Sequence, residues 1–457
     1  MGVSMTDVAK AIGADADLVA AEQARIEARA KLYNCETDEL RFDTVDGAIT
    51  RNIRSMRMGK RIPEDWAALL WTENAQVRAG EEGSPEQDYL DTVLGRQHAA
   101  IIGDAIERSF GLGTAAIDPL FDLTQTRWGF VKQSGIIPRL DITDAYGIIP
   151  LAYDKNGVSE VALVSYGKDT VSVREYRDGV IHNRAFTVHG STLSETALPD
   201  HLPEELPVAM RCFALVRPAI ASSWTVGHPY GVSVLDSARD HIEACDLYFD
   251  NMIEDVRLGR KVVFIPETMM PKGEDGKLRP PDKTRSRMYL ATRDPMGEGG
   301  KIHEHNPDMR VEQNRAGINT ALSLASASVG FGYGYYAFDG QDGVKTATEV
   351  VSNNSDLYRM RKKHFLGLSS ALTDLARAVL YIGAEFGGQR LDPTVDICVT
   401  ADDSVIEDDT ARRAGGRELY KDGLISKAKF LRDYMHYTDE QVAAEMESSA
   451  LAIPGLV

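Results

Sequence analysis

Apolar residues recur at spacings of three and four along one stretch of the chain: Leu235, Ala238, Ile242, Cys245, Phe249, Met252 and Val256. Arg239, Asp240, Glu243, Asp246, Asp250 and Glu254 fall on the other faces, so the pattern predicts one long amphipathic helix over 231–260. Leu258-Gly259 should close it, with glycine in the left-handed conformation, and the β-type run KVVFIP follows at once. RMYLATRD and KIHEHN add two short strand candidates, which makes 261–307 a small α/β tip. A second helix, capped by Asp308, is expected over 308–329, where Ile318, Leu322, Ala325 and Val329 continue the spacing. A helix out, a tip and a helix back describe a stalk.

The remaining pattern surrounds that object. Residues 5–34 are Ala-rich and helical in period, and Arg51, Arg54, Arg57 and Lys60 recur every three residues, which predicts a basic helix face over 51–61. A compact apolar helix is expected at 64–75 and another from Gln87 to Phe110, ending at Gly111. Between Thr126 and Thr192 the period becomes two, and Asn156-Gly157 and Asp178-Gly179 mark hairpin turns, which together predict an antiparallel sheet of four or more strands. Residues 195–230 read as irregular and proline-rich. The segment 330–345 has five glycines and no period. Thr346 and Glu349 form a capping box for a third helix over 346–386, with Phe365, Leu368, Leu372, Leu375, Val379 and Ile382 as its apolar stripe. The strand VDICVT, an acidic run, and two short helices follow; Ser426 and Thr438 (with Gln441) cap the helices and Gly423 separates them. The fold class is α+β.

Composition narrows the function. A chain of 457 residues, 43% hydrophobic, can bury a sizeable core in two to four domains. No run approaches eighteen uninterrupted apolar residues, so no membrane partner is expected. No secretory signal is expected either, and the myristoylation-like MGVSMT lacks a basic second anchor. Cys35, Cys212, Cys245 and Cys398 show no metal spacing and read as reduced, buried cysteines of a protein assembled in a cytoplasm. Net charge is −18, which excludes a tight grip on DNA phosphates but suits a wall past which DNA slides. Against that background, ten basic and four acidic residues between Arg257 and Arg293 leave that stretch at +6.

Little here points to catalysis. There is no GxxxxGK[ST], and the GxGxG of Gly330, Gly332 and Gly334 follows a helix rather than a strand. That segment reads as a mobile loop in which Tyr333, Tyr335, Tyr336 and Phe338 supply contact surface. His303 and His305 with Asp402, Asp403, Asp408 and Asp409 define a metal-dependent nuclease as an alternative. A solvated edge strand and an acidic helix N-terminus explain the same residues. No catalytic residue, metal or cofactor is expected.

Five segments, in order, carry a resemblance: EDWAALLWTE (64–73), IIPLAYD (148–154), 228–267, FDGQDGVKTATEVVSNNSDLYRMRKK (338–363) and 402–446 with its GLISK-type helix pair. Together they resemble the portal proteins of tailed bacteriophages, in the family typical of long noncontractile-tailed phages. The resemblance implies a portal fold assembled as a ring of twelve copies at one capsid vertex. It implies a wing (1–230, with the sheet at about 126–192), stem helices (231–260 and 308–329) and a clip (261–307). A tunnel loop (330–345), a long helix with a wing return strand (346–400) and a short helical crown (401–457) complete it. Tyr333, Tyr335, Tyr336, Asp339, Asp342 and Lys345 become tunnel-loop candidates, and Arg310 and Arg315 candidate basic rings on the stem. Lys277, Arg279, Lys283, Arg285, Arg287 and Arg293 become clip contacts. The implied partners are the terminase large subunit, the head-to-tail connector, the major capsid and scaffolding proteins, and double-stranded DNA. The implied place is the virion, after assembly in the host cytoplasm. A capsid or tail adaptor that never encloses DNA is the competing reading.

Overall fold

The computed structural model describes the chain outside residues 1–2, 45–46, 73–74, 82, 127–128, 132–134, 191, 200–201, 260–261, 267–271, 273–275, 278–288, 293–302, 307, 339–346, 401–415, 436–441 and 443–457. Helix α1 (Met5–Ala11) opens on a reciprocal capping box between Ser4 and Asp7, and α2 (Ala16–Tyr33) opens on the Asp15 side chain. A hairpin of β1 (Glu39–Thr44) and β2 (Gly47–Asn52) follows. The basic helix expected at 51–61 does not form as such. Arg51 lies on β2, and α3 (Met58–Leu70) begins only after Arg57, which takes the left-handed φ of 62°. Strand β3 (Gln76–Ala79) precedes α4 (Pro85–Leu94) and α5 (Arg96–Leu112). These two helices replace the single one expected from Gln87 to Phe110, because Gly95 turns extended at ψ −172° between them.

The period-two region folds as antiparallel sheet. Strands β4 (Ala115–Leu120), β5 (Thr124–Thr126), β6 (Gly129–Val131) and β7 (Arg139–Asp144) come first. Next are β8 (Ile148–Asp154), β9 (Gly157–Tyr166), β10 (Thr170–Arg177), β11 (Val180–His189), β12 (Thr192–Thr196), β13 (Glu205–Pro207) and β14 (Ala214–Val216). Strands β8 to β12 lie side by side in chain order and β13 joins β11, completing a six-stranded sheet. Arg177 pairs with Val180 across Asp178-Gly179, both at positive φ, so the expected two-residue turn is present. Strand β4 pairs with β7 and β14 in a second sheet.

The stalk starts later than its sequence period suggests. Ser233 accepts from the Leu235 N–H (3.0 Å) and donates to the Phe110 and Gly111 carbonyls (2.8 Å), tying this turn to the end of α5. A 3-10 turn (Val234–Ser237) therefore precedes α6 (Arg239–Leu258). Gly259 ends α6 at φ −70°, not left-handed, with its N–H on Asp255 O. In the tip, β15 (Val262–Pro266) pairs parallel with β16 (Tyr289–Thr292) and antiparallel with β17 (His303–His305). Helix α7 (Val311–Ser328) returns beside α6, beginning at Arg310 and not at Asp308, with no side-chain cap. Helix α8 (Ala347–Glu385) is followed by β18 (Ile397–Thr400), which pairs with β3. Helical segments at 416–421 and Lys427–Met435 come last, with Gly423 at φ 72° between them and Ser426 accepting from Lys429 N–H.

One core joins the stalk base to the helices. Ile62, Trp66, Leu70, Ile106, Leu235, Ile318, Leu372 and Val379 are all fully buried in a single cluster. By length and composition Ser355–Glu385 matches a membrane span, yet Leu368, Leu372, Leu375 and Val379 bury its stripe in this core. Where the chain leads into the stalk, two backbones cross at glycines: a Cβ on Gly231 would sit 2.1 Å from Gly113 O. Arg29, almost wholly buried, donates from Nη1 to Leu112 O (3.1 Å) and Glu22, and from Nε and Nη2 to Asp236. A buried guanidinium is tolerated only when so many donors are met. Two cysteines depart from expectation: Cys398 is exposed and Cys35 is half-buried.

His364 on α8 accepts the Ala219 N–H at Nδ1 (3.0 Å) and packs edge-on against Trp66 and Phe110. Burial, then the charge of Lys363, pushes its pKa down to about 4. The folded chain keeps it neutral while the unfolded chain protonates below about 6.5. Stability is thus full above that value and lost as pH falls from about 6.5 to about 4, by about 3 kcal/mol. Denaturant unfolding at pH 7.0 and 4.5 should show a smaller loss in His364→Gln than in wild type; equal losses would contradict this.

Candidate functional site

The stalk and the loop beneath it carry the features that set this chain apart. Asp246, Asp250 and Glu254 are four residues apart, so they form one stripe along α6. The segment after β2 lies along that stripe. Arg51 grips Asp250 with two parallel bonds of 2.8 Å, and Arg54 Nη1 donates to Asp250 (2.9 Å) and Glu254 (2.8 Å). Ser55 Oγ and the Met56 N–H donate to Asp246 at 3.1 and 2.7 Å. Asp250 is only 2% exposed, and its hydrogen bonds from Arg51 hold its pKa below the usual carboxylate range. The Asp246 carboxyl is raised instead, because burial outweighs the Met56 and Ser55 bonds. This clasp explains why 51–56 is not helical: a helix would have spread Arg51 and Arg54 around its axis.

The two stalk helices are pinned at their outer ends. Asp255 accepts from Arg310 Nη2 (2.7 Å) and from the Asn314 amide (2.8 Å), which lowers its pKa. Gly317 makes room for the Tyr248 ring, since a Cβ there would lie 2.5 Å from it. The apolar seam is buried only at the base, through Leu235, Ile242 and Cys245; farther out Val256 is 58% exposed, and off the seam Leu247 is 49% exposed. Met309, just before α7, and Val311 and Leu324 on it are exposed.

Under the stalk, Phe331 stacks on Trp66 (4.6 Å) and Tyr335 stacks on Phe331 (4.4 Å). Tyr336 turns inward, 3% exposed, and donates its hydroxyl to Asp65 (2.6 Å) while its N–H meets Ser326 Oγ. Gly330, Gly332 and Gly334 all have positive φ, which only glycine adopts freely. The segment is thus anchored at Phe331 and Tyr336 and exposes Tyr333 (67%) and Phe338. Tyr336 is correspondingly a fastening, not a surface group as expected.

The other expected residues divide as follows. Arg310 is exposed but paired to Asp255, and Arg315 is exposed on α7. Lys277 is exposed on the tip. Arg279, Lys283, Arg285, Arg287, Arg293, Asp339, Asp342, Lys345 and the Asp402–Asp409 run lie outside the described residues. His303 and His305 stand two apart on β17, and among the described residues no three His, Cys, Asp or Glu side chains gather as metal ligands. The clasp and the Asp255 pin were not foreseen; the fourfold spacing of acids on α6 was the available signal.

A stalk of two antiparallel helices carrying a small mixed sheet, rooted in an α+β body, defines the class of fold. Residues 225–451 match the family described as "Phage portal protein, SPP1 Gp6-like", and the chain belongs to that family. No curated protein matches it. A chain of the solved "Neck of empty GTA particle computed with C6 symmetry" aligns over 82% of this chain and 88% of its own, at 13% identity and a TM-score of 0.39.

Removing the central carboxylate tests the clasp. Asp250→Asn should destabilise the chain by about 3 kcal/mol, because it leaves two guanidiniums without their anion. Urea unfolding at pH 7 measures this, and a loss below about 0.5 kcal/mol would show the clasp to be incidental.

Proposed function

We propose that this chain is the subunit of a ring of twelve copies that forms the channel at one capsid vertex. DNA is driven through it by the terminase large subunit, retained, and later released through a head-to-tail connector. The observation that carries this reading is the apolar surface left open along the stalk. Leu247 and Val256 on α6 and Leu324 on α7 are exposed in the single chain, on helices already packed to each other and to the core. Side-by-side copies would bury those groups at roughly 25 cal/mol per Å² of apolar area, with no new fold required. In that arrangement the tip at 261–307 is the clip that meets terminase and connector, and the +6 charge of the stretch from Arg257 to Arg293 suits acidic or phosphate-bearing partners. The N-terminal helices and the sheets form the wing against the major capsid and scaffolding proteins, and the segments after 401 form a short crown. The segment around Tyr333 forms the tunnel loop, swinging on its glycines while Phe331 and Tyr336 stay fixed. The net charge of −18 per copy makes the wall repulsive, so DNA slides instead of sticking. The role is mechanical, in the virion, after assembly in the host cytoplasm.

Two variants test this. Val256→Asp with Leu324→Asp should abolish ring assembly, read by native mass spectrometry, while circular dichroism and Tm remain those of the wild-type subunit; rings that still form would remove these residues from the interface. Arg310→Gln with Arg315→Gln should leave rings intact and lower the DNA retained per particle several-fold. Unchanged filling would take both arginines out of the channel account.

A further inference from the structure

Between the segment that leads into the stalk and helix α8 lies a cavity of about 600 Å³. Asn156 in the β8–β9 turn, Gly157 at the start of β9, residues 217–231 and the Gly367–Asp374 face of α8 form its walls. Two guanidiniums share it. Arg211 lies over the Phe213 ring (4.1 Å), donates from Nε to Phe213 O (3.2 Å), and approaches Asp374 only to 3.7 Å. Arg217 donates to Pro229 O (3.2 Å), and among the described residues no carboxylate lies within 4.0 Å of it. That carbonyl meets one of its five donor hydrogens. Its stem is confined, because Gly231 approaches so closely that a Cβ there would lie 3.1 Å from Arg217 Cγ. Gly157 leaves space before Nη2, where a Cβ would stand at 3.5 Å.

Asp374 is the single acid among the lining residues, so two cations face one anion. Burial holds both guanidiniums below their ordinary value, and the charge of Arg211 adds to the effect on Arg217. A site of this kind lacks a planar or tetrahedral oxyanion, the partner that a guanidinium fork fits best. The hydroxyls of Ser222, Thr225 and Ser370 line the same space and add neutral donors.

We propose that this cavity binds one oxyanion group, a phosphate or a carboxylate, through Arg211 and Arg217. The chemistry admits two sources: a free ion, or an acidic side chain of a neighbouring copy, this second source resting on the ring reading above.

Thermal unfolding of the full, dissociated chain in sodium phosphate, against sodium chloride at equal ionic strength, tests the site. At 50 mM phosphate the wild-type Tm should rise by about 2–4 °C beyond the chloride control. The rise should vanish in Arg217→Gln and in Ser370→Leu, which fills the cavity from α8 without touching either arginine, and persist in Lys168→Gln on an exposed turn. Repeating the titration on the assembled oligomer separates the sources. A retained response assigns a free ion; a lost response, with weaker assembly of Arg217→Gln, assigns a neighbour's carboxylate. No phosphate-specific rise in the dissociated wild type, or an equal rise in Arg217→Gln and Ser370→Leu, would overturn the site.

Discussion

The contact between the 51–56 segment and the acidic stripe of α6 is the constraint on which the rest of the stalk is built. A helix that projects from a globular body has few neighbours to hold its direction, and the fully buried apolar side chains of α6 end at Cys245. Beyond that point three carboxylates, Asp246, Asp250 and Glu254, receive a bidentate arginine, a second arginine, a serine and a backbone N–H. Charge-assisted bonds with such fixed geometry set direction as well as energy. Placed there, α6 can offer its outer apolar groups to something other than its own chain, while Asp255, Arg310 and Asn314 keep α7 alongside.

The loop under the stalk follows a related logic with a different interaction. Tyr335, Phe331 and Trp66 form a stack that ends against His364 in the core, and Tyr336 is tied to Asp65. The alternating glycines adopt conformations closed to other residues, and the aromatics between them face inward or outward in turn. A segment fixed at two rings and free at Tyr333 can move its exposed part without disturbing the body, as the proposed channel wall requires. His364, buried against Trp66 and Phe110, closes that anchoring layer on the core side.

Much of this was legible in the sequence because the period was long and local. The stalk helices, the hairpin at Asp178-Gly179, the strands of the tip and the stripe of α8 all follow from spacing alone, and the ordered set of segments pointed to the family. The errors have local physical causes. The threefold spacing of Arg51, Arg54, Arg57 and Lys60 mimicked a helix face, but Arg51 and Arg54 reach acids about 200 residues away in sequence. Gly95 split a helix that periodicity alone ran through. Tyr336 looked like its neighbours because a hydroxyl with a buried partner is indistinguishable in sequence from one in water. The pairing of Arg217 with no acid was likewise invisible, since it depends on which elements close over it.

Negative-stain electron microscopy of the purified chain, with particle mass measured on the same sample, tests the central claim most directly. The account predicts rings with a central hole and about twelvefold symmetry, the stalks packed side by side around it. A solid oligomer with no hole would contradict it and favour an adaptor that binds its neighbours without enclosing DNA.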